Sequence, residues 1–301
     1  MFNRILKKYF PLLLLLLLAF SFQSCKTTNS LVKESISPSA PADAKIVLAP
    51  DVEFQEIEGD YKYLFIRLYN PVYNSPVYIA NILKNGLAAT KTEDVPDLSH
   101  SAINFNLNDT FYGLTLGGKY NFAEENCLTV EGHKYMKHCN PEKSEQITYA
   151  LKVTEEEYNN TQKFVDHYLK STKVKYASGL NVKLALFSIK KKFFTSKEHK
   201  QFSTQKYPRS AKNVKIDQDD EKSYLNRFVC STFIGYVLYN NVESVAEFFD
   251  EHNIKYDYLN VTDLSLIPGM TPLFYSTWSN YLEAAKEFVN ENEEFAEYLT
   301  Q

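Results

Sequence analysis

Glycine is scarce in this chain, nine residues in 301, and no P-loop pattern or Gly-rich dinucleotide fingerprint occurs, so no nucleotide cofactor is implied and none is expected. Basic residues are also short. Thirty-three Lys and Arg face 37 Asp and Glu, for a net charge of −4. Nucleic-acid binding relies on cationic side chains that neutralise phosphates, so a nucleic-acid partner is excluded as an expectation. Four cysteines are too few for a disulfide-dense scaffold. There is no internal repeat, and the long hydrophobic run sits at the N-terminus.

That run reads as a targeting segment. "MFNRILKK" is a positive leader, "YFPLLLLLLLAFSF" an apolar stretch short for a full membrane span, and "QSC" follows, ending at Cys25. Residues 1–25 therefore resemble a lipoprotein signal peptide with Cys25 as the acylated residue. Lys26 rather than Asp after that cysteine favours the outer membrane of a cell envelope. Removal of Arg4, Lys7 and Lys8, with no acids lost, takes the net charge from −4 down by three to −7. Residues 26–45, "KTTNSLVKESISPSAPADAK", are Ser/Ala/Pro/Lys-rich and read as a flexible tether. Residues 46–301 are then one domain, with 22 Tyr and 21 Phe as core material.

What is present is patterned. "YKYLFIRLYN" (61–70) predicts a strand, and "PVYIANILKNGL" a helix stopped at Gly86. "SHSAINFNLNDTFYGLTLGG" (99–118) predicts a hairpin turning at Asn108 and Asp109, with Ile103, Phe105 and Leu107 on one face. "CLTVEG" and "EQITYALKV" are strand candidates. Thr154 and Glu157 stand at capping-box spacing before an acidic first turn, which predicts a helix through "VTEEEYNNTQKFVDHYLK". "LNVKLALFSIKKKFF" is ambiguous between helix and buried strand, and "SAKNVKIDQDDEKS" is a polar loop. "VESVAEFFDEHN" and "NYLEAAKEFVNENEEFAEYL" predict helices, while "VTDLSLIPGMTPLFY" predicts loop with short strand pieces.

The chemistry concentrates in "RFVCSTFIGYVL" (227–238). Phe233, Ile234, Val237 and Leu238 make an apolar helical stripe, with Cys230 one turn N-terminal on the same face. A thiol in a first turn meets unsatisfied backbone N–H groups and the positive dipole end, which favour thiolate. A cysteine there also packs well as a small hydrophobe. Of six histidines, His167, His199 and His252 lie in charged surface sequence. His100 instead opens a strand, alternating with Ala102, Asn104 and Asn106. Imidazole and helix-mouth thiol are the two halves of a thiol nucleophile system. Cys127, His133, His138 and Cys139 gather soft ligands, but their C-x5-H-x4-H-C spacing matches no usual zinc pattern. A local Cys127–Cys139 disulfide is the expectation there, and no metal.

"LSHSAINFNLNDTFYGLTLGG" followed downstream by "RFVCSTFIGYVL" resembles the permuted NlpC/P60 superfamily of papain-like hydrolases and acyltransferases, in which histidine precedes cysteine. The resemblance spans residues 60–282. It implies an α+β, papain-like domain whose Cys230 helix packs on an antiparallel sheet bearing His100, with Cys230 as nucleophile and His100 as general base. The family's third polar residue falls at Thr115 if the hairpin has a two-residue turn, or at Tyr112 with a three-residue loop. Both differ from the carboxylate, amide or imidazole usual in the family. The Cys230 N–H is the natural oxyanion donor. The expected activity is hydrolysis or transfer of an amide or ester, on a peptidoglycan stem peptide or a lipid acyl group. The competing expectation is an envelope binding module that keeps the fold without the activity. Fatty-acid labelling tests the anchor: palmitate incorporation should be lost in Cys25→Ser and unchanged in Cys127→Ser.

Overall fold

The computed structural model describes residues 59–70, 98–114, 122–125, 140–177 and 207–299, apart from single positions, together with Ile57 and Leu184. Its frame is an antiparallel sheet built from β1 (Tyr61–Tyr69), β2 (His100–Asn104), β3 (Phe111–Leu114), β4 (Phe122–Glu125), β5 (Glu145–Thr154) and β8 (Met270–Thr277). The strand order is β4-β3-β2-β1-β5-β8. A short parallel pair joins β6 (Lys175–Tyr176) to β7 (Arg227–Phe228). The helices are α1 (Glu155–Lys170), α2 (Cys230–Asn241), α3 (Glu243–Glu251), α4 (Val261–Leu264) and α5 (Tyr281–Glu291). The fold is mixed α+β.

β1 is central because its alternation is apolar on both faces. Leu64, Ile66 and Leu68 enter one cluster with Ile103, Phe164, Phe233 and Val237, under α1 and α2. Phe65 and Tyr69 enter the other with Ala102, Phe274, Tyr281 and Phe295, under α5 and the 3-10 turn Glu293–Tyr298. Burying each such large side chain contributes about 1.5–3 kcal/mol, so the two layers carry most of the stability.

α1 starts where its capping box requires. Thr154 Oγ1 accepts the Glu157 N–H (3.2 Å) and Glu157 Oε2 accepts the Thr154 N–H (2.9 Å). The other carboxylate oxygen of Glu157 accepts the Glu243 N–H at 2.8 Å, capping α3, whose Val242 cap has no polar side chain. One carboxylate thus closes two helix starts.

Two expectations change. The Pro- and Gly-interrupted 261–275 segment contains α4 and the first six residues of an eight-residue strand, β8. Proline is tolerated there because β8 is the sheet edge among the described residues, bonded only to β5 of them, and its register with β5 slips beside Pro272. The hairpin has no two-residue turn: Ala102 pairs with Gly113 and Ile103 with Tyr112, leaving 105–110 as loop. Asparagine side chains shape that loop. Asn104 accepts the Phe105 N–H (2.8 Å) and donates to the Thr110 carbonyl, while Asn106 accepts the Asn108 N–H (3.0 Å). Ile103 and Phe105 share a cluster as expected, but Leu107 joins the opposite one. The predicted 76–86 helix, the "CLTVEG" strand, most of "LNVKLALFSIKKKFF", and residues 1–45 lie outside the described residues.

Gly235 in α2 is a packing glycine. A Cβ there would stand 2.5 Å from Leu259 Cδ1 and 3.2 Å from Tyr256 Cβ. Gly235→Ala gains up to about 1 kcal/mol of helix propensity. Against it, overpacking costs about 1–3 kcal/mol. The Leu259 methyl can rotate away, whereas Tyr256 Cβ is fixed to its backbone. Thermal denaturation should show Tm lowered by about 2–4 °C; an equal or higher Tm would contradict this packing.

Candidate functional site

Cys230 is the first residue of α2, and α2 lies against β2, β3 and β7. The cap residue Val229 is extended (φ −104°, ψ 172°) and no side chain caps the first turn, which contains no acid. Thr232 Oγ1 instead accepts the Val229 N–H at 3.0 Å, and the Ser231 hydroxyl donates to the Leu259 carbonyl at 2.7 Å. The local helix field at the thiol is therefore uncompensated by nearby carboxylates of its own turn. Cys230 forms no disulfide with a described residue, is 2 % exposed, and lies within the cluster that holds Leu68, Leu98 and Ile103.

His100 is the first residue of β2, as expected, and is buried. It pairs in register with Tyr69 and meets its ring edge-on at 4.9 Å. Tyr69 and Ala102 both belong to the cluster under α5. Strand alternation thus turns His100 towards Tyr69, and turns Ser101 to the face that α2 covers. Ser101 Oγ is buried there without a hydrogen-bond partner among the described residues. Helix and strand are brought together, while the pleat sets the two predicted side chains on different faces of it.

The His100 face carries a polar layer that sequence reading missed. Across the sheet, Tyr69 is flanked by His100 and Gln146, and Gln146 by Ser276, with a Gln146–Ser276 hydrogen bond of 2.9 Å. In the next row Arg67 stands between Ala102 and Thr148. Its guanidinium lies 4.2 Å from the Phe111 ring, 4.9 Å from Tyr69, 5.4 Å from Trp278 and 5.9 Å from Tyr281. Such a desolvated cation–π box is worth about 2 kcal/mol or more, which offsets part of the cost of burying the charge. The Gln146 Oε1, Thr148 Oγ1 and Tyr281 hydroxyl atoms are buried there without hydrogen-bond partners among the described residues. A single charged residue inside the apolar run "LFIRLY" was the available signal.

Tyr112 pairs with Ile103 and packs against the cluster under α1 and α2, so it is on the face away from His100; a three-residue loop would have been needed to bring it there. Thr115, Cys25, Cys127, His133, His138 and Cys139 lie outside the described residues. His167, expected to be solvated, is stacked on Tyr224 with centroids 4.1 Å apart. No group of three or more His, Cys, Asp or Glu among the described residues could hold a metal ion. No helix among them is long and apolar enough to cross a membrane.

Buried phenols give the molecule an alkaline limit. Burial raises Tyr149, Tyr168 and Tyr281 well above the ordinary tyrosine range. At Tyr281 the Arg67 charge offsets part of this. Tyr239 is pushed up to about 12 by burial and by its 3.0 Å hydrogen bond to Asp250. Below the unfolded value near 10 these groups are neutral in both states. Above it the unfolded chain releases protons that the folded chain keeps, so stability falls as pH rises through the folded values. Urea midpoints should stay level between pH 7 and 9 and drop beyond pH 10. Tyr281→Phe should make that drop shallower and change stability at pH 7 by less than about 1 kcal/mol. Comparison of the chain with protein-family models, curated proteins and solved structures returns no match.

Proposed function

We propose that the protein is a thiol hydrolase or acyltransferase of papain-like design, anchored to a cell envelope through Cys25. The supporting observation is the placement of Cys230 as the first residue of a helix that lies on an antiparallel sheet, beside the strand that His100 opens. In this reading the imidazole takes the thiol proton and the thiolate attacks an amide or ester carbonyl. The Cys230 N–H steadies the oxyanion, the leaving group departs with the proton, and water or a second nucleophile cleaves the thioester. The acyl donor is a peptidoglycan stem peptide or a lipid acyl chain, and no cofactor takes part. This scheme assigns no third polar residue, because the two-residue turn that pointed to Thr115 is not the turn observed. The imidazole has to reach the thiol past the end of β2, and that step is the one to test.

A second reading rests on its own observation. His100 packs against Tyr69 on the Arg67 face, while Cys230 sits in an apolar cluster at 2 % exposure, as a packing cysteine does. This describes a binding module that retains the architecture without the chemistry.

Alkylation of Cys230 against pH, in wild type and His100→Ala, separates the two. The enzyme reading expects rapid reaction persisting well below the free-thiol value of about 8.5, slowed at least tenfold at pH 6 in His100→Ala. Slow reaction that is identical in both proteins would leave the binding module.

A further inference from the structure

A cleft of about 540 Å³ opens between the last turn of α1 and the 221–226 segment that leads into β7. That volume is within the range of small-ligand sites, about 300–1,000 Å³. Its lining combines Lys170, Lys173 and Lys222 with the stacked His167 and Tyr224 rings and Leu225.

The apolar wall is held rigidly. Leu225 uses its N–H to donate to the Tyr236 hydroxyl (3.2 Å) and its carbonyl to accept the Tyr168 hydroxyl (2.7 Å). Both tyrosines are fully buried, so the backbone is fixed and the Leu225 side chain is held outward at 36 % exposure. Tyr224 is braced by Phe164 behind it, with centroids 5.5 Å apart. An apolar side chain presented on a pinned backbone binds with little further ordering cost.

The charge of the cleft runs against that of the chain. Three lysines face one carboxylate, Glu221, in a protein of net charge −4. Lys173 approaches Glu221 at 4.0 Å with both side chains about three-quarters exposed (73 % and 76 %). Such an exposed pair holds weakly and yields to a competing carboxylate. Asp220, next to the cleft, is turned to the Lys222 backbone N–H (3.0 Å).

We propose that this cleft binds a short acidic peptide segment, its carboxylates on Lys173 and Lys222 and an apolar side chain against Leu225 and Tyr224. An anionic glycan fits less well, because Ser171 and Asn226 are the neutral polar side chains available in the lining for its hydroxyls. The site stands apart from the thiol reading, and its occupation requires no chemistry at Cys230.

The test is calorimetric titration of the full chain with acetyl-Glu-Leu-Glu-Leu-Glu-amide, its Gln-for-Glu counterpart, and polygalacturonate. The acidic peptide should bind, at least tenfold more tightly than the Gln peptide and with affinity falling at high salt. Lys173→Glu with Lys222→Glu should weaken it at least tenfold, and Leu225→Ser should weaken it several-fold. Lys286→Glu on α5 should leave it unchanged. All these positions are at the surface, and circular dichroism confirms that each variant is folded. No binding, equal binding of the Gln peptide, indifference to the cleft variants, or preference for polygalacturonate would each overturn the proposal.

Discussion

Everything in this fold answers to the burial of β1 on both sides and along both edges. Its backbone is bonded to β2 on one side and β5 on the other, so its polar groups are met within the sheet. Its side chains then alternate into two separate clusters, and each needs its own cover. α1 and α2 supply one layer. α5 and the 3-10 turn after it supply the other, which is why the C-terminal residues matter to a strand more than two hundred positions earlier. Tyr298 shows the linkage directly: its hydroxyl accepts the Tyr63 N–H (3.2 Å) and its carbonyl accepts the Leu107 N–H (2.7 Å).

The same constraint sets the terms for the candidate chemistry. A helix that covers one face of β1 brings its N-terminal thiol to that face, while a histidine in register with Tyr69 is assigned to the other. The polar layer around Arg67 is the cost of putting a cation into a doubly buried strand, and four rings answer it. A buried charge without such compensation would be expelled or neutralised.

Much of the frame was legible because local signals and tertiary demands agree. Thr154 and Glu157 announced α1, and the structure uses both arms of that box. The stripe from Phe233 to Leu238 announced α2, which starts at Cys230. Short runs rich in aromatic and β-branched residues marked β1 and β5. β8 was hidden because Pro272 and Gly269 are loop residues unless the strand is known to be an edge, which depends on the whole sheet. The hairpin register was hidden because Asn104 and Asn106 fold their side chains back onto the chain and lengthen the loop. The Arg67 box was out of reach for a similar reason. It joins β1, β3 and the residues around β8 and α5, and no spacing within any one segment encodes that meeting.

β8 carries a consequence of another kind. An exposed sheet edge is a template on which a second chain can extend the ladder. Here that edge contains Pro272, which has no N–H to offer, next to a slipped register that breaks the even spacing of donors and acceptors. A strand arriving from outside finds no continuous run to pair with. The irregularity that made this segment hard to read as a strand therefore also guards the protein against edge-to-edge aggregation, and a residue restoring the N–H at 272 would remove that guard.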